Sequence, residues 1–287
     1  MGDFSAQWLA LREPVDHASR NVVVQQAMLS WLRQKHGSAL AELQILDLGC
    51  GTGSNLRAIA PLLGQTQQWT LLDYAPQLLQ AAKASLMAWA DQVLSADQYR
   101  LSLLKSGQTI DVSFALADLN IDSAHWLAQG FDLVTASALF DLVSAHWIDA
   151  FCRQLRAPLY AVLSYDGQMD WNPAHPLDAQ VVAAFENHQQ QDKGFGLALG
   201  PAANSYLLQS LASHGFSTDT GKSPWLIEAI PGEFYRLLLE GIEQAVRQTG
   251  RCEPTALRVW YEARLNAQAC AVGHDDLFAW PTDSANC

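Results

Sequence analysis

Charge is scarce in this sequence. Asp, Glu, Lys and Arg together make up 16% of 287 residues, and basic residues are outnumbered 17 to 29. A formal charge of -12 repels a phosphate polymer unless positive charge is clustered. No cluster occurs, so no nucleic-acid partner is expected. Long apolar runs are missing as well, and nothing approaches the length of a membrane span. The N-terminal stretch lacks the basic-then-apolar order of a secretion signal. Met1-Gly2 followed by Ser5 misses an N-acylation pattern, which wants Ser or Thr where Ala6 stands. The expectation is therefore a protein with no membrane partner. The five cysteines, Cys50, Cys152, Cys252, Cys270 and Cys287, are scattered, odd in number and free of any CxxC pair. Neither a disulfide framework nor a zinc site follows, so no metal is expected and a reducing cytoplasm is the simplest location. Tract bias and repeats at solenoid periods are also absent.

What is present is apolar: 49% of residues, enough for a full core in one large domain or in one domain with an elaboration. A short helix around Trp8 is expected to be interrupted at Pro14, with a longer one from about Val15 to His36 stopped by Gly37. Strands and helices then alternate. Leu43 to Leu48 reads as a strand buried on both faces, and Ser54 to Leu63 as a helix. Trp69 to Leu72 is a second strand, and Pro76 to about Leu94 a helix carrying Leu78, Leu79, Ala82, Leu86 and Val93 on one face. "YRLSLLKSGQTIDVSFALAD" contains two strands around the turn Lys105 to Gln108. Phe131 to Ser137 and Pro158 to Ser164 are core strands with a helix, roughly Ala145 to Leu155, between them. This alternation predicts a parallel α/β sheet with right-handed crossovers, whose ligand lies beyond the carboxyl ends of the strands.

The densest signal is "DLGCGTG", Asp47 to Gly53. Three glycines at alternate positions between a strand and its helix permit positive φ and close backbone approach, and the free N–H groups of the helix start face a ligand. A dinucleotide fingerprint would need GxGxxG, but Ser54 follows Gly53, so the third glycine comes one position early. The motif resembles the first motif of the class I S-adenosylmethionine-dependent methyltransferases, an acid followed by GxGxG, and the resemblance extends over about Leu43 to Ser164. It implies S-adenosyl-L-methionine as cofactor, S-adenosyl-L-homocysteine as product, and a loop of Asp47, Gly49, Cys50, Gly51 and Gly53 under the methionine moiety. In the same resemblance Asp73, closing "WTLLDYAP", holds the ribose with Tyr74 beside the adenine, although Asp73 also suits a helix cap. Asp118 and Leu119 of "ALADLN" take the adenine, or Asp118 merely begins a helix. Ser137 completes the cofactor set. Arg12, Asp16 and Arg20, spaced by four, form either a surface ion-pair ladder or a helix from which Arg20 reaches the methionine carboxylate.

Acceptor chemistry is expected at later strand ends. "SALFDLVSAHW" lacks the Asn/Asp-Pro-Pro-Tyr/Phe motif of family members that methylate nucleic-acid amino groups or glutamine, and the chain has no Pro-Cys pair such as cytosine-C5 enzymes use. With the negative charge, this points to a small-molecule acceptor. Asp141 and Trp171 are candidates for binding it, as is Lys193, whose default is an exposed turn lysine. Tyr165 and Asp166 of "SYDG" are catalytic candidates, though Tyr-Asp-Gly is also a good turn. His188, the third, lies on an expected helix from about Leu177 to Gln190 within a long insertion of the kind that forms lids, and a partly buried structural histidine is its plain alternative.

The expected architecture is a Rossmann-like, seven-stranded, mostly parallel sheet with helices on both faces. The last strand, about Ala271 to Trp280, runs antiparallel between the strand ending at Ser164 and "FSTDTGK". Residues 1–40 form a helical cap, 41–166 the cofactor-binding core, 167–202 a lid, and 203–287 the completion of the core with two inserted helices. The expected function is methyl transfer to an O, N or C nucleophile of a small metabolite, in a monomer or homodimer. A regulatory or structural protein that binds the cofactor without catalysis is the alternative, and an NAD-dependent oxidoreductase a weaker one.

Overall fold

Asn21, rather than Pro14, divides the N-terminal helical segment in the computed structural model, which describes residues 5–40, 42–228 and 232–282. Met1 and Gly2 of the acylation pattern, and Cys287, lie outside the described residues. Helix α1 (Ala6–Ser19) starts where the Ser5 hydroxyl accepts the Trp8 N–H, and it runs through Pro14. A proline removes one helical hydrogen bond, a loss that tertiary packing can offset. Asn21 instead leaves the helical conformation, and its side-chain oxygen accepts the N–H groups of Val23 and Val24, which starts α2 (Val22–His36).

The core follows in alternation: β1 (Leu43–Leu48), α3 (Ser54–Ile59), β2 (Thr66–Asp73), α4 (Pro76–Trp89), β3 (Gln92–Ala96), β4 (Arg100–Lys105), β5 (Gln108–Leu116), α5 (Leu119–Leu127), β6 (Leu133–Ser137), α6 (Ala145–Gln154) and β7 (Leu159–Asn172). Then come α7 (Asp178–Gln189), α8 (Ala203–Ser213), β8 (Phe216–Lys222), β9 (Trp225–Glu228), α9 (Glu233–Thr249), α10 (Pro254–Leu265) and β10 (Ala269–Pro281). The strands join one ten-stranded sheet in the order β3-β4-β5-β2-β1-β6-β7-β10-β8, with β9 also paired to β10. From β5 to β7 the pairing is parallel, and β10 enters antiparallel between β7 and β8. The expected strands are present, including the pair β4 and β5 around the turn Lys105 to Gln108, with β3 and β9 in addition.

Two further expectations are corrected. Helix α4 stops at Trp89, so Val93 leaves its face and sits with Leu94 on β3, an exposed edge strand paired to β4. The Asp91 carboxylate, which accepts from the Ser106 N–H and pairs with Lys105, ties this hairpin in place of a further helical turn. Tyr165-Asp166-Gly167 is not a turn: β7 continues through it to Asn172, because β10 pairs with it from Leu159 to that residue. Gly167 has φ +88°, and opposite it a Cβ on Gly273 would fall 2.1 Å from an Asp166 carboxylate oxygen, so only glycine lets the extended pair pass.

Side chains of β1 alternate between two cores. Ile45 packs with Met28, Leu32, Leu56 and Leu86, while Leu46 and Leu48 pack with Ile148, Phe151 and Leu211. A third core, with Trp171, Val181, Leu239, Ile242 and Trp260, joins the far halves of β7 and β10 to α7, α9 and α10. These helices form a cap beside the carboxyl ends of β6 and β7.

Candidate functional site

Gly49, Gly51 and Gly53 take φ values of +63°, +54° and +75°, the left-handed region that side chains disfavour. The loop they form is pinned to β2 twice. The Cys50 N–H donates to the Leu72 carbonyl at 2.8 Å, and the Gly51 N–H to Asp73 Oδ2 at 2.9 Å. Asp73 Oδ1 accepts the Ala75 N–H at 2.9 Å, so the carboxylate both caps the entry to α4 and clamps the loop. Burial raises its pKa, and backbone N–H groups pull the other way. Burial also pushes the Cys50 thiol well up.

Asp47 lies beneath the loop, wholly inaccessible to solvent. Its Oδ1 accepts from the Asn55 amide at 2.7 Å; the same amide nitrogen donates to the Thr135 hydroxyl, and Asn55 Oδ1 accepts from Arg20 Nη2 at 2.9 Å. Burial pushes the Asp47 carboxyl up to about 7, against the Asn55 bond and the Arg20 charge. Among the described residues Asp47 Oδ2 and Arg20 Nε and Nη1 have no hydrogen-bond partner, although both side chains are buried. Helix α1 lies over this region: Leu9 Cδ1 would be 3.1 Å from a Cβ on Gly51, His17 bonds the Ser54 hydroxyl at 3.0 Å, and Glu13 pairs with Arg57. The expected ladder is therefore split. Arg12 pairs with Asp16 at 2.7 Å, while Arg20 turns inward to Asn55.

Tyr74 is half-buried beside Asp73, and Ser137, also half-buried, ends β6. Asp118 is exposed and caps α5 by accepting the Asn120 N–H at 2.9 Å. Leu119 is buried, and its carbonyl accepts from the Trp147 indole at 3.0 Å.

A second group of polar side chains gathers past β6 and β7. Asp141, in a helical turn over Phe140–Leu142, is 8% exposed and its Oδ1 has no partner. Burial pushes its carboxyl up to about 6, while the Arg12 charge opposes. Tyr165 on β7 is 5% exposed, and its hydroxyl also lacks a partner. Burial, then the charges of Glu186, Asp166 and Asp141, raises the phenol pKa. Asp166 is occupied: it accepts the Gln168 N–H and pairs with Lys222 at 2.9 Å. Glu186 of α7, not singled out by sequence reasoning, has its pKa raised by burial. Nothing in its spacing marked it, because it meets Tyr165 only through the packing of α7 on β7. Aromatic rings line the group: Phe185 and His274 stand edge-on to Tyr165 at 5.9 and 6.3 Å, and Trp225 lies 4.8 Å from His274.

Three candidates lie outside this group. Trp171 is buried edge-on against Trp260 at 5.5 Å with the Arg264 guanidinium over it, which makes it core in place of an acceptor wall. His188 is half-buried and bonds Gln248 of α9 at 2.9 Å, tying two cap helices. Lys193 is half-buried, which lowers its pKa, and its charge acts on His188. Among the described residues no group of His, Cys, Asp and Glu could hold a metal ion, and no helix is long and apolar enough to cross a membrane.

Comparison with known proteins adds family context. Residues 46–161 match the family model described as "Methyltransferase domain". The malonyl-(acyl-carrier protein) O-methyltransferase of Paenibacillus sp. (strain JDR-2) is 26% identical over 216 residues, which cover 71% of this chain and 66% of that protein. The biotin biosynthesis bifunctional protein BioCD of Bordetella avium (strain 197N) is 33% identical over 124 residues, 38% of this chain and 26% of its own length. Among solved structures, a cyclopropane-fatty-acyl-phospholipid synthase-like protein from Lactobacillus casei ATCC 334 shares the fold, with a TM-score of 0.52 at 14% identity, covering 94% of this chain and 99% of that one.

Proposed function

We propose, for a chain whose residues 46–161 match a methyltransferase domain, that it is a class I S-adenosylmethionine-dependent methyltransferase and transfers the cofactor's methyl group to an O, N or C nucleophile of a small molecule. One observation carries the reading. Beside a glycine loop clamped by Asp73, a carboxyl oxygen of Asp47 and two guanidinium nitrogens of Arg20 are buried without hydrogen-bond partners among the described residues. Buried groups of opposite charge without partners are costly, and an ammonium and a carboxylate on one carbon, as in the methionine moiety, match both. The residues thus fit the group. Asp73 spends one lone pair of each oxygen on the backbone and keeps others for ribose hydroxyls.

When bound, the cofactor supplies a methyl group already activated on a sulfonium. The protein's share is alignment of nucleophile, methyl carbon and sulfur, and exclusion of water. Helix α1 serves exclusion by lying over Gly51 and Ser54. Leu139, whose Cδ1 would be 3.4 Å from a Cβ on Gly49, joins the loop to the turn carrying Asp141, which sets acceptor and cofactor regions side by side. An NAD-type reading is disfavoured, because Ser54 occupies the position of the third glycine and is bonded to His17.

Thermal shift separates these readings, since a ligand that binds only the native state raises the melting temperature. S-adenosylhomocysteine should raise it and NAD should not; the opposite ranking would overturn the proposal. In calorimetry Asp73→Ala should lose about 1.5–3 kcal/mol of binding, the worth of hydrogen bonds to a charged group.

A further inference from the structure

The groups facing the acceptor region are unevenly charged. Asp141 is buried with an unpartnered oxygen, and Tyr165 is buried with an unpartnered hydroxyl. Glu186 belongs to the same group: its Oε1 would be 3.0 Å from a Cβ on Gly167, two residues after Tyr165, and the neighbouring Phe185 stands edge-on to Tyr165 at 5.9 Å. Of these acids only Asp166 has an ion-pair partner among the described residues, Lys222, which it shares with Asp275. The nearby guanidinium, Arg12, is held by Asp16 at 2.7 Å and lies over the Trp225 ring at 5.4 Å. Two carboxylates therefore remain without an ion-pair partner among the described residues.

We infer that the acceptor is an amine on an apolar or aromatic body, bound as its ammonium by Asp141 and Glu186 among Tyr165, Phe185 and Trp225, with Asp141 accepting its proton. The inference rests on the methyltransferase reading and narrows it. A carboxylate acceptor would meet two like charges that have no ion-pair partner, whereas an ammonium supplies the hydrogen-bond donors that Asp141 Oδ1 and the Tyr165 oxygen lack. The aromatic faces favour a cation as well. In the reaction the Asp141 carboxylate takes one proton from the ammonium. The freed nitrogen lone pair forms the bond to the methyl carbon as the carbon–sulfur bond breaks, and the sulfur leaves as a neutral thioether. The product is a methylated ammonium of charge +1, and Asp141 returns its proton to solvent. A carboxyl held near neutrality suits that exchange.

The test uses the whole chain saturated with S-adenosylhomocysteine and three matched probes: 2-phenylethylamine, 2-phenylethanol and phenylacetate. Calorimetry should show the amine binding about tenfold or more tightly than the acid, the value of one charge-assisted bond. Asp141→Asn and Glu186→Gln should each erase most of that preference while leaving S-adenosylhomocysteine affinity unchanged. The acid binding as well as the amine, a preference that survives both variants, or no binding by any probe would overturn the inference. Failure of the unaltered protein to bind S-adenosylhomocysteine would overturn the underlying reading, and this inference with it.

Discussion

Two buried acids, Asp276 on β10 and Asp141 in the helical turn after β6, meet burial in opposite ways. Asp276 stands where α2, β7 and β10 meet and has no solvent exposure. Its Oδ1 accepts the Leu163 N–H at 2.8 Å and the Ser223 hydroxyl at 2.6 Å, and its Oδ2 accepts the Asn21 N–H at 2.8 Å. Asp141 is almost as buried and keeps an oxygen with no partner among the described residues. The first acid offsets part of its desolvation, which still raises its pKa, with three hydrogen bonds that join distant segments. The second leaves part of that cost standing, which is what a group kept for a ligand does. Burial is thus common to both acids, and the count of partners separates them.

The contrast can be broken first at Asp276. Asp276→Ala strands two backbone N–H groups and a hydroxyl, and urea unfolding should show a loss of about 3–5 kcal/mol. A loss below about 1 kcal/mol would remove the distinction between the two sites.

Asp141→Asn should act in the opposite sense. The carboxyl pKa is raised from 3.8 to about 6 in the folded protein, so folding favours the protonated acid. The penalty for holding it ionised is absent below the unfolded value, grows through the window between the two, and is complete above about 6. At 1.36 kcal/mol per pKa unit it reaches about 3 kcal/mol. The Asn variant should therefore be more stable than the parent by up to that amount above about pH 7, with the difference vanishing near pH 4. Unfolding curves at both pH values decide it, and a gain independent of pH would show that ionisation is not the cause.

The smallest effect is expected at His188, whose side chain ties α7 to α9 through Gln248 in a partly exposed position. His188→Ala should cost about 1 kcal/mol of stability and leave S-adenosylhomocysteine affinity intact. A loss above about 3 kcal/mol would make this contact a second structural hub.

Legibility differed between the regions for physical reasons. The glycine loop could be read because positive φ is a local demand that only glycine meets cheaply, and β1 because burial on both faces needs an unbroken apolar run. The extension of β7 through Tyr165-Asp166-Gly167 could not, because turn residues remain in a strand when a partner such as β10 pairs along it. Arg20 and Asp16 share a helix face by spacing, yet Arg20 turns to Asn55 and Asp16 accepts from the Trp225 indole. Such choices are made by segments distant in the chain.

By itself the sequence determined the alternation of strands and helices, the loop from Asp47 to Gly53 at the carboxyl end of β1, and a last strand long enough to span the sheet. These follow from periodicity and backbone freedom, which act within a few residues. Only the tertiary structure decided that Asp276 would be satisfied while Asp141 and Tyr165 would not, and that Glu186 would join them from α7. Whether a buried oxygen finds a donor depends on groups brought from elsewhere in the chain, and no local pattern records that.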